Sequence, residues 1–445
     1  MKNVYNMVVL FALGVSGNAF AQTGNKLSLK ECIEYTLKNN PSNVVYDNQI
    51  KIAEKQKLEA LSYYLPQVNG TATLDDNLKR QVTVIPAGAF SPTDLKVQFG
   101  NQYNTAATLQ ADQVIFDKSL LAGIDANGPN IELAELKKIQ NEDNLIYNTA
   151  AAYYQMISFR EQIKLLSQNE KKLSDLLTVQ KLQLDKGVIT RTAVNRVQVN
   201  YNNVISQKKV AETNYNLAVI KLKNAMGLPL ENELNVIDSI NYKQDIELPV
   251  MSDFDIKTKT DYQILEKNVL FQEVDLKRKR ASVLPTLSAY ARYGANAFGN
   301  DFQRSYDHWY DFSVVGLKLN IPVFSGLRRY SQISQSELNL YNARQNLVIN
   351  AENIKLAMQG SNTVLLSSYT DLQANKNNIE LAKAVFDDTS LQFEKGTVAL
   401  TDFLNADYAY KEAQTNYIKS LLTYLTARID LERSKGTIKQ FVNQL

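Results

Sequence analysis

The sequence predicts a mostly α-helical α+β protein built from two copies of one structural unit. Glycine turns at Gly187 and Gly396 each join one helix-length segment to another, and strand-like segments precede both long helical segments. The spacing of landmark residues is nearly the same in the two halves. Phe116 precedes Gly187 by 71 residues, and Phe324 precedes Gly396 by 72. Such internal repetition indicates a duplicated scaffold.

The first residues predict export. Lys2 is followed by an apolar run over residues 7–15, and Ala19-Phe20-Ala21 is a small-x-small cleavage site before Gln22. We therefore interpret residues 1–21 as a signal peptide. A glutamine rather than a cysteine follows the predicted cleavage, so the sequence offers no lipid attachment point there.

The composition argues against several classes of function. The 49 Lys and Arg residues nearly balance the 46 Asp and Glu residues, which gives no reason to expect a nucleic-acid partner. A single cysteine, Cys32, and a single histidine, His308, are a poor basis for a disulfide, a metal site or a Cys/His nucleophile pair. We expect no metal and no cofactor, and interpret Cys32 as a small helix residue and His308 as a loop or strand-edge residue.

The first repeat, residues 22–227, begins with helix and then changes to strand. Residues 28–64 predict a helix that is broken at Pro41 and ended by Leu65-Pro66. Strands are predicted near 67–76 and over 103–115, where polarity alternates with a period of two. Residues 77–101 contain two prolines and two glycines and are predicted to be the loop between these strands.

A very long helix is predicted over residues 118–186, with a kink or a helix start at Asn127-Gly128-Pro129. A return helix follows Gly187 and ends at Met226-Gly227, and residues 228–254 are predicted to be a linker between the repeats. The long helix carries a narrow heptad seam with one charged interruption. The seam consists of Ala152, Met156, Phe159, Ile163, Leu166, Glu170, Leu173 and Leu177.

The second repeat, residues 255–436, has the same order of elements. A helix from residue 261 ends at Leu284-Pro285, strands follow at 286–295 and 309–323, and a long helix covers 326–395. The last helix ends near residue 436, and 437–445 are predicted to be a tail. The last helix also carries a narrow apolar seam, which consists of Ala406, Tyr410, Ala413, Tyr417, Ser420 and Tyr424.

The second-repeat strands have one apolar and one polar face, as Val315, Leu317 and Leu319 alternate with Gly316 and Lys318. This pattern is typical of strands between lipid and water, and the alternative is a strand pair packed on a soluble core. Beyond residue 21 there is no run of about 18 apolar residues for a membrane helix, so we expect any membrane contact to involve the strands. Four strands are too few to close a barrel, so oligomerisation is expected. The aromatic residues expected at the membrane interface are Tyr290, Tyr293, Trp309, Tyr310 and Phe312.

The layout resembles the TolC-like outer-membrane efflux proteins over nearly the whole mature chain. The residues that carry the resemblance are the two Leu-Pro helix ends, the strand ends Val114-Ile115-Phe116-Asp117 and Ile321-Pro322-Val323-Phe324, the paired Lys-Gly turns and Met226-Gly227-Leu228-Pro229. The resemblance implies a homotrimer, with four strands per subunit in one twelve-stranded outer-membrane β-barrel that continues as a long periplasmic coiled-coil barrel. It implies that the linker at residues 228–254 and the C-terminus form an equatorial region around that barrel. It also implies the exit duct of a tripartite efflux pump or type I secretion system.

The resemblance further implies partners and site residues. The partners would be outer-membrane lipid, a periplasmic adaptor and an inner-membrane transporter of the RND, ABC or MFS type. The tip residues that would contact the adaptor are Lys186, Gly187, Val188, Lys395, Gly396 and Thr397. The family often has two acids at the pore entrance, and here the positions hold Asp402 and Asn405. Because the second position holds Asn405 instead of an acid, we expect weaker cation selectivity than the family pattern gives. Ala193 and Val398 replace a frequent acid and a frequent base, which argues against a polar tip lock of the family type. The alternative role for Asp402 is that of a helix N-terminal acid that interacts with the helix dipole.

Two other classes of function remain open at the level of sequence. A periplasmic coiled-coil scaffold or adhesin without a pore would account for the heptads alone. An enzyme is disfavoured because the sequence contains no Gly-rich phosphate loop, no nucleophile elbow and no cluster of metal ligands. We therefore expect a passive conduit for drugs, other small molecules or secreted polypeptide, and no catalysis.

Overall fold

The computed structural model describes residues 26–88, 92–237 and 254–444. The predicted signal peptide and most of the predicted linker lie outside the described residues. The elements confirm a mostly helical α+β fold with a repeated order. In chain order they are α1 (Leu29–Asn39), α2 (Pro41–Ser62), β1 (Gln67–Asp76), β2 (Val82–Ile85), β3 (Leu95–Gln98), β4 (Tyr103–Phe116), α3 (Lys118–Asp125), α4 (Asn127–Asp185), α5 (Arg191–Met226), α6 (Thr260–Ala281), β5 (Thr286–Gly299), β6 (Trp309–Asn320), α7 (Arg328–Glu394), α8 (Leu400–Lys435) and α9 (Ile438–Gln444).

The break between α1 and α2 lies where the sequence predicts it. Ser28 caps α1 in a reciprocal capping box with Glu31, and the Asn40 side chain accepts a hydrogen bond from the backbone N–H of Ser42 at the start of α2. Pro41 stands at the first position of α2, where its missing N–H costs nothing. Two helices therefore meet at a defined corner.

The four long strands form one antiparallel sheet with the order β1-β4-β5-β6. Gln67, which follows the first Leu-Pro pair, is opposite Asp112, four residues before Phe116. Thr286, which follows the second Leu-Pro pair, is opposite Asn320, and Asn320 also precedes its phenylalanine by four residues. The strand pairs β1–β4 and β5–β6 thus have the same register. The sheet consists of these two equivalent pairs, which are joined through β4 and β5.

The register gives the sheet one apolar and one polar face, since directly opposite residues in an antiparallel pair lie on the same side. Val68, Ala107, Ala291 and Leu317 lie on the apolar face. The polar face carries a connected group in which the Nε of Arg292 donates to Gln110 at 3.1 Å and Gln110 donates to Asp112. Leu317 is 70% exposed, so the apolar face is not covered by the chain's own helices.

Two helical hairpins extend from the sheet. Helices α4 and α7 contain 59 and 67 residues, which corresponds to lengths of about 90 Å and 100 Å at about 1.5 Å per residue. Helix α4 packs along α5, and α7 packs along α8. Across the described ranges, no helix combines the length and the apolar character needed to cross a membrane.

Two separate apolar clusters account for most of the buried side chains among the described residues. The larger one, here called the central core, brings α1, α4, α5, α7, α8 and α9 together and contains the fully buried Ile33, Met156, Leu222 and Ile429. The smaller one, the first-hairpin cluster, lies between α4 and α5 and contains Leu173 and Val197. Of the predicted α4 seam, Met156, Leu166, Leu173 and Leu177 are buried, and Glu170 pairs with Lys208 at 2.7 Å.

Three details differ from the sequence predictions. The predicted loop 77–101 contains a short hairpin, β2–β3. The long helical tract is interrupted at Ala126, and α4 begins at Asn127, two residues before Pro129. The predicted tail contains α9, because Ile438, Phe441 and Val442 recur at helical spacing and pack into the central core.

A charged cluster connects this last helix to the remainder of the protein. Lys439 on α9 pairs with Glu142 on α4 at 2.5 Å, and Lys259 pairs with Asp261 at 3.3 Å. Burial raises the pKa of the neighbouring Asp143 to about 6, opposed by Lys439 and reinforced by Glu142 and Asp261. Ionised Asp143 is therefore unfavourable in the folded protein.

We expect the stability contribution of Asp143 to depend on pH. The folded carboxyl has the higher pKa, so its contribution becomes less favourable as the pH rises from about 4 through 6. At pH 7.5, Asp143→Asn should raise the apparent melting temperature by a few degrees, and the gain should disappear near pH 4. Differential scanning fluorimetry across this range checks the prediction. Asp175→Asn, an exposed acid on the same helix, is the control, and an equal gain at both pH values for Asp143→Asn would contradict it.

Candidate functional site at the helical tips

The first tip is a helix-ending turn centred on Gly187. This residue has a φ of 71°, in the left-handed region that glycine adopts without strain. The N–H of Gly187 donates to Leu184 O and that of Val188 to Gln183 O, both at 2.9 Å, so two carbonyls at the end of α4 are satisfied. Lys186, Gly187 and Val188 are all exposed. The turn thus presents a short, rigid surface at the end of the first hairpin.

The second tip repeats this geometry at Gly396, whose φ is 72°. The N–H of Gly396 donates to Phe393 O at 3.0 Å, and the N–H of Thr397 donates to Gln392 O at 2.9 Å. The Thr397 hydroxyl donates to the same Gln392 carbonyl at 2.9 Å. Lys395, Gly396 and Thr397 are exposed. The two tips have the same backbone geometry and the same Lys-Gly pair, and they differ in the next residue, which is Val188 in the first tip and Thr397 in the second.

Asp402 and Asn405 lie in the first turns of α8 and are both exposed. Their spacing of three residues puts them on one side of the helix. No side chain caps the start of α8, so the Asp402 carboxylate is close to uncompensated N–H groups, where a negative charge is favourable. Ala193 and Val398, which replace charged residues of the family pattern, are half-buried.

An aromatic cluster holds the second hairpin together near its tip. Phe386 on α7 is 5% exposed, and its ring centroid lies 5.8 Å from that of Phe403 and 5.5 Å from that of Tyr410, both on α8. Phe393 stacks on Phe403 at 5.0 Å. We call Phe386, Phe393, Phe403 and Tyr410 the tip aromatic cluster. It connects the helix that enters the turn to the helix that carries Asp402.

The contacts between the two hairpins near the tips are few and largely polar. Arg196 on α5 donates from Nη1 to the Thr401 hydroxyl at 3.1 Å. Leu400 packs against the first-hairpin cluster, and the Lys172 ammonium lies 4.7 Å from the centre of the Phe386 ring. Exposed polar contacts of this kind contribute little net stability. The second tip is therefore held mainly by its own hairpin.

Asp407, two residues beyond Asn405 on α8, is a feature that the sequence reasoning missed. It is 6% exposed and forms an ion pair with Lys411 on the next turn of α8. The i,i+4 spacing of Asp and Lys was visible in the sequence, but the burial was not. The half-buried Lys411 thus compensates the charge of the buried Asp407 carboxylate within α8.

The sheet separates the five aromatic residues expected at the membrane interface. The register puts Tyr293 and Trp309 on the apolar face, whereas Tyr290, Tyr310 and Phe312 lie on the polar face. The Tyr290 ring lies against Gly316, and the Phe312 ring against Gly294. These two rings therefore cover glycines of neighbouring strands.

The described residues thus form a duplicated wall element, in which a sheet with one exposed apolar face continues into two long helical hairpins with exposed tips. This architecture is typical of outer-membrane channel proteins. The chain belongs to the outer membrane efflux protein family, whose model matches residues 33–228 and 265–437. The predicted family and the predicted fold class are both confirmed.

Individual relatives agree with this assignment. The chain is similar to the outer membrane protein TolC of Vibrio cholerae, with 22% identity, 99% coverage of this chain and 97% of the relative. It is also similar to the alkaline protease secretion protein AprF of Pseudomonas aeruginosa, with 21% identity, 75% coverage of this chain and 70% of the relative. Among solved structures, the CmeC outer membrane channel of Campylobacter jejuni superposes with a TM-score of 0.74 at 15% identity, covering 94% of this chain and 88% of that one.

The predicted location is therefore confirmed. The protein is an outer-membrane exit channel component for efflux or secretion, and it extends into the periplasm.

The contribution of the tip aromatic cluster to the stability of the second hairpin near its tip can be tested by mutation. Phe386→Ala removes a buried ring and should destabilise the end of the hairpin by about 3 kcal/mol. We expect amide hydrogen exchange over residues 386–410 to be faster by tenfold or more, while exchange in the central core is unchanged. Tyr408→Ala, which truncates a 69% exposed ring on the same hairpin, is the matched control. Equal exchange in the two variants would exclude a holding role for the cluster.

Proposed function

We propose that three copies of the chain form a passive outer-membrane duct. In this assembly each copy contributes four strands to one twelve-stranded barrel and two helical hairpins to a periplasmic wall. The observation that carries the proposal is that the two outer strands of the sheet each have one side without a paired strand. Within the described sheet, β1 and β6 are the edges, and an uncovered edge with unpaired backbone groups is a template for pairing with another chain.

The seam between the repeats supplies a register for pairing between copies. Inside the chain, β4 of the first repeat pairs with β5 of the second, with Leu109 opposite Tyr293. Superposing the repeats on their Leu-Pro and Phe landmarks makes β6 equivalent to β4, and β1 equivalent to β5. The same pairing between copies then brings Leu317 opposite Leu74 of the next copy.

The side-chain pattern supports this register independently. It matches the apolar face of β6 with the apolar face of β1, and it pairs Lys318 with Thr73 on the polar face. Lys318 then lies diagonal to Asp75, within reach of an opposite charge. A slip of one residue would bring every apolar side chain of one strand against the polar face of the other.

The packing of the helices supports the same arrangement of copies. Helix α6 packs against α7 of its own repeat and also against α3 and α4 of the other repeat. Its counterpart α2 packs against α3 and α4 of its own repeat and leaves Val44, Val45, Ile52 and Leu58 exposed. The start of α7 exposes Leu338 and Tyr341. The face of α2 is therefore suited to cover α7 of the next copy, as α6 covers α3 and α4.

In this assembly the apolar sheet face contacts outer-membrane lipid. Tyr293 and Trp309 would then be the interfacial aromatics, because they share that face. Tyr290, Tyr310 and Phe312 would line the interior with Arg292. This refines the expectation from sequence that all five aromatics meet the membrane.

The tips would be the docking sites for a periplasmic adaptor, which connects the duct to an inner-membrane transporter of the RND, ABC or MFS type. The contact residues are Lys186, Gly187, Val188, Lys395, Gly396 and Thr397. Their support is exposure, rigid turn geometry and position at the ends of both hairpins. Energy would come from the transporter, and the chain itself would conduct small molecules, drugs or secreted polypeptide without a cofactor.

Asp402 would form a ring of three carboxylates at the entrance, next to a ring of Asn405 amides. A ring of negative charge favours cations at a narrow pore. The neutral Asn405 ring would make the preference weaker than that of two acidic rings.

The closing register can be tested by cysteine pairing. With Thr73→Cys and Lys318→Cys in one chain, oxidation should produce covalent dimers and trimers on a denaturing gel, because opposite side chains have Cβ atoms about 5 Å apart. Asn69→Cys with Lys318→Cys is the control, since four positions correspond to about 13 Å along the strand. The native Cys32 is buried, and burial raises the pKa of its thiol to about 12, so its background reactivity is low.

Several outcomes would overturn the assembly. Equal cross-linking of both pairs would contradict the register, and a covalent dimer without trimer would contradict threefold closure. A monodisperse monomer that needs no detergent would instead favour the periplasmic scaffold.

The entrance ring can be tested by conductance in a planar bilayer. Asp402→Asn should reduce the ratio of potassium to chloride permeability by about twofold or more, because a charge is removed at constant shape. Asn405→Asp is the reciprocal variant and should raise the same ratio. Reversal potentials in a salt gradient provide the measurement. If neither variant changes them, these positions do not line the narrow part of the pore.

A further inference from the structure

The internal contact between the repeats places one side of α6 against α3 and α4. The Cδ atom of Arg278 on α6 lies 3.4 Å from the position that a Cβ atom would take on Gly123 of α3. Lys267, eleven residues earlier on α6, forms an ion pair with Glu132 on α4. Eleven residues are about three helical turns, so Arg278 and Lys267 lie on the same side of α6. This side is the contact surface between the repeats.

The landmarks that align the strands of the two repeats also align these helices. On the Leu-Pro landmarks, Glu59 on α2 is the counterpart of Arg278 on α6. On the Phe landmarks, Ser331 on α7 is the counterpart of Gly123 on α3. In the proposed assembly the contact between copies repeats the contact between repeats, so Glu59 of one copy lies opposite Ser331 of its neighbour.

Exposed apolar residues agree with this alignment of α2 and α7. Ile52 precedes Glu59 by about two helical turns, and Leu338 follows Ser331 by about two turns. Because α2 runs towards the sheet and α7 runs away from it, Ile52 of one copy then lies opposite Leu338 of its neighbour. These side chains are 56% and 60% exposed in the single chain. The alignment taken from the internal contact thus brings one uncovered apolar side chain against another.

Opposite charges lie beside this point on the two helices. Glu59 and Arg328 are both exposed, and neither side chain has a hydrogen bond or an ion pair within the part of the chain that the structure describes. Arg328 precedes Ser331 by three residues and therefore lies on the same side of α7. The guanidinium of Arg328 is then within reach of the Glu59 carboxylate of the neighbouring copy.

We propose that Glu59 and Arg328 of neighbouring copies form an ion pair that selects α2, rather than α6, as the neighbour of α7. The counterparts of the two residues in the internal contact are Arg278 and Leu120, so the internal contact has no such pair at these positions. Arg278 already pairs with Asp275 on its own helix at 2.8 Å. An α6 helix in the place of α2 would therefore offer Arg328 a guanidinium and no free carboxylate.

The pair determines the order of the repeats around the ring. Apolar residues alone do not discriminate between α2 and α6, because Phe271 on α6 is the counterpart of Ile52 and is 41% exposed. A charge that attracts one neighbour and repels the other does discriminate. Exposed ion pairs are individually weak, but this one occurs at each contact between copies. The inference rests on the proposed assembly of three copies.

Charge exchange tests the pair on the full protein in a non-ionic detergent. Glu59→Arg and Arg328→Glu each replace attraction by repulsion at every contact, and each should lower the temperature at which the trimer dissociates by about 5 °C or more. The double variant restores opposite charges and should return to within about 2 °C of the unmodified protein. At about 1 M salt the loss in the single variants should fall by roughly half or more, because the charges are screened. Size-exclusion chromatography with light scattering after stepwise heating provides the measurement.

Glu54→Arg is the matched control. Glu54 is an exposed acid on α2, and its separation of five residues from Glu59 puts it on another side of the helix. This variant should leave the dissociation temperature unchanged. Single variants that behave like the control, or a double variant that is not restored, would overturn the ion pair and leave the three-copy assembly in place. An unmodified protein that is not a trimer would overturn both.

Discussion

The pairing of β4 with β5 is the interaction on which the remainder of the structure depends. These strands belong to different repeats, and their ladder runs from Tyr103 opposite Gly299 to Phe116 opposite Leu287. A shift of one residue would move the apolar side chains of one repeat to the polar side of the other. The observed register therefore puts the apolar residues of both repeats on the same face of the sheet. It also brings the strand ends that lead into the helices to the same end of the sheet, so both helical hairpins extend from that end. The helices can then meet along their seams without further adjustment.

Most helix ends and strands could be predicted from the sequence, because they are determined by residues close to one another along the chain. A glycine after a basic residue ends a helix through its own φ, a Leu-Pro pair stops the helix before it, and alternation marks a strand. The elements that were missed are short. Helix α9 is only a few residues long, and its apolar triplet Ile438, Phe441 and Val442 was too brief to outweigh its position after Gly436. The β2–β3 hairpin lies among prolines and glycines, and those residues dominated the interpretation of residues 77–101.

The candidate site was predictable only in part, for a related reason. Both tip turns, and the positions of Asp402 and Asn405 on α8, follow from residues that are adjacent in sequence. The tip aromatic cluster does not, because Phe386 meets Tyr410 across a turn and its buried position depends on how the helices rotate against each other. The assignment of aromatics to opposite sheet faces is of the same kind. Tyr290 and Tyr293 are three residues apart, so an alternating strand separates them, and proximity in the sequence was misleading.

The apolar contacts between the two repeats are concentrated in the central core and are sparse near the helical tips. The central core joins both repeats and includes the fully buried Ile429 and Met156, so relative movement there would expose a large apolar area. Towards the tips the apolar contacts are mostly within each hairpin, and the hairpins meet through Leu400, the Arg196–Thr401 hydrogen bond and one cation–π contact. These contacts are individually weak in water. The second hairpin can therefore shift at its tip without a large loss of burial, whereas the same shift at the central core would break the packing that holds the two repeats together.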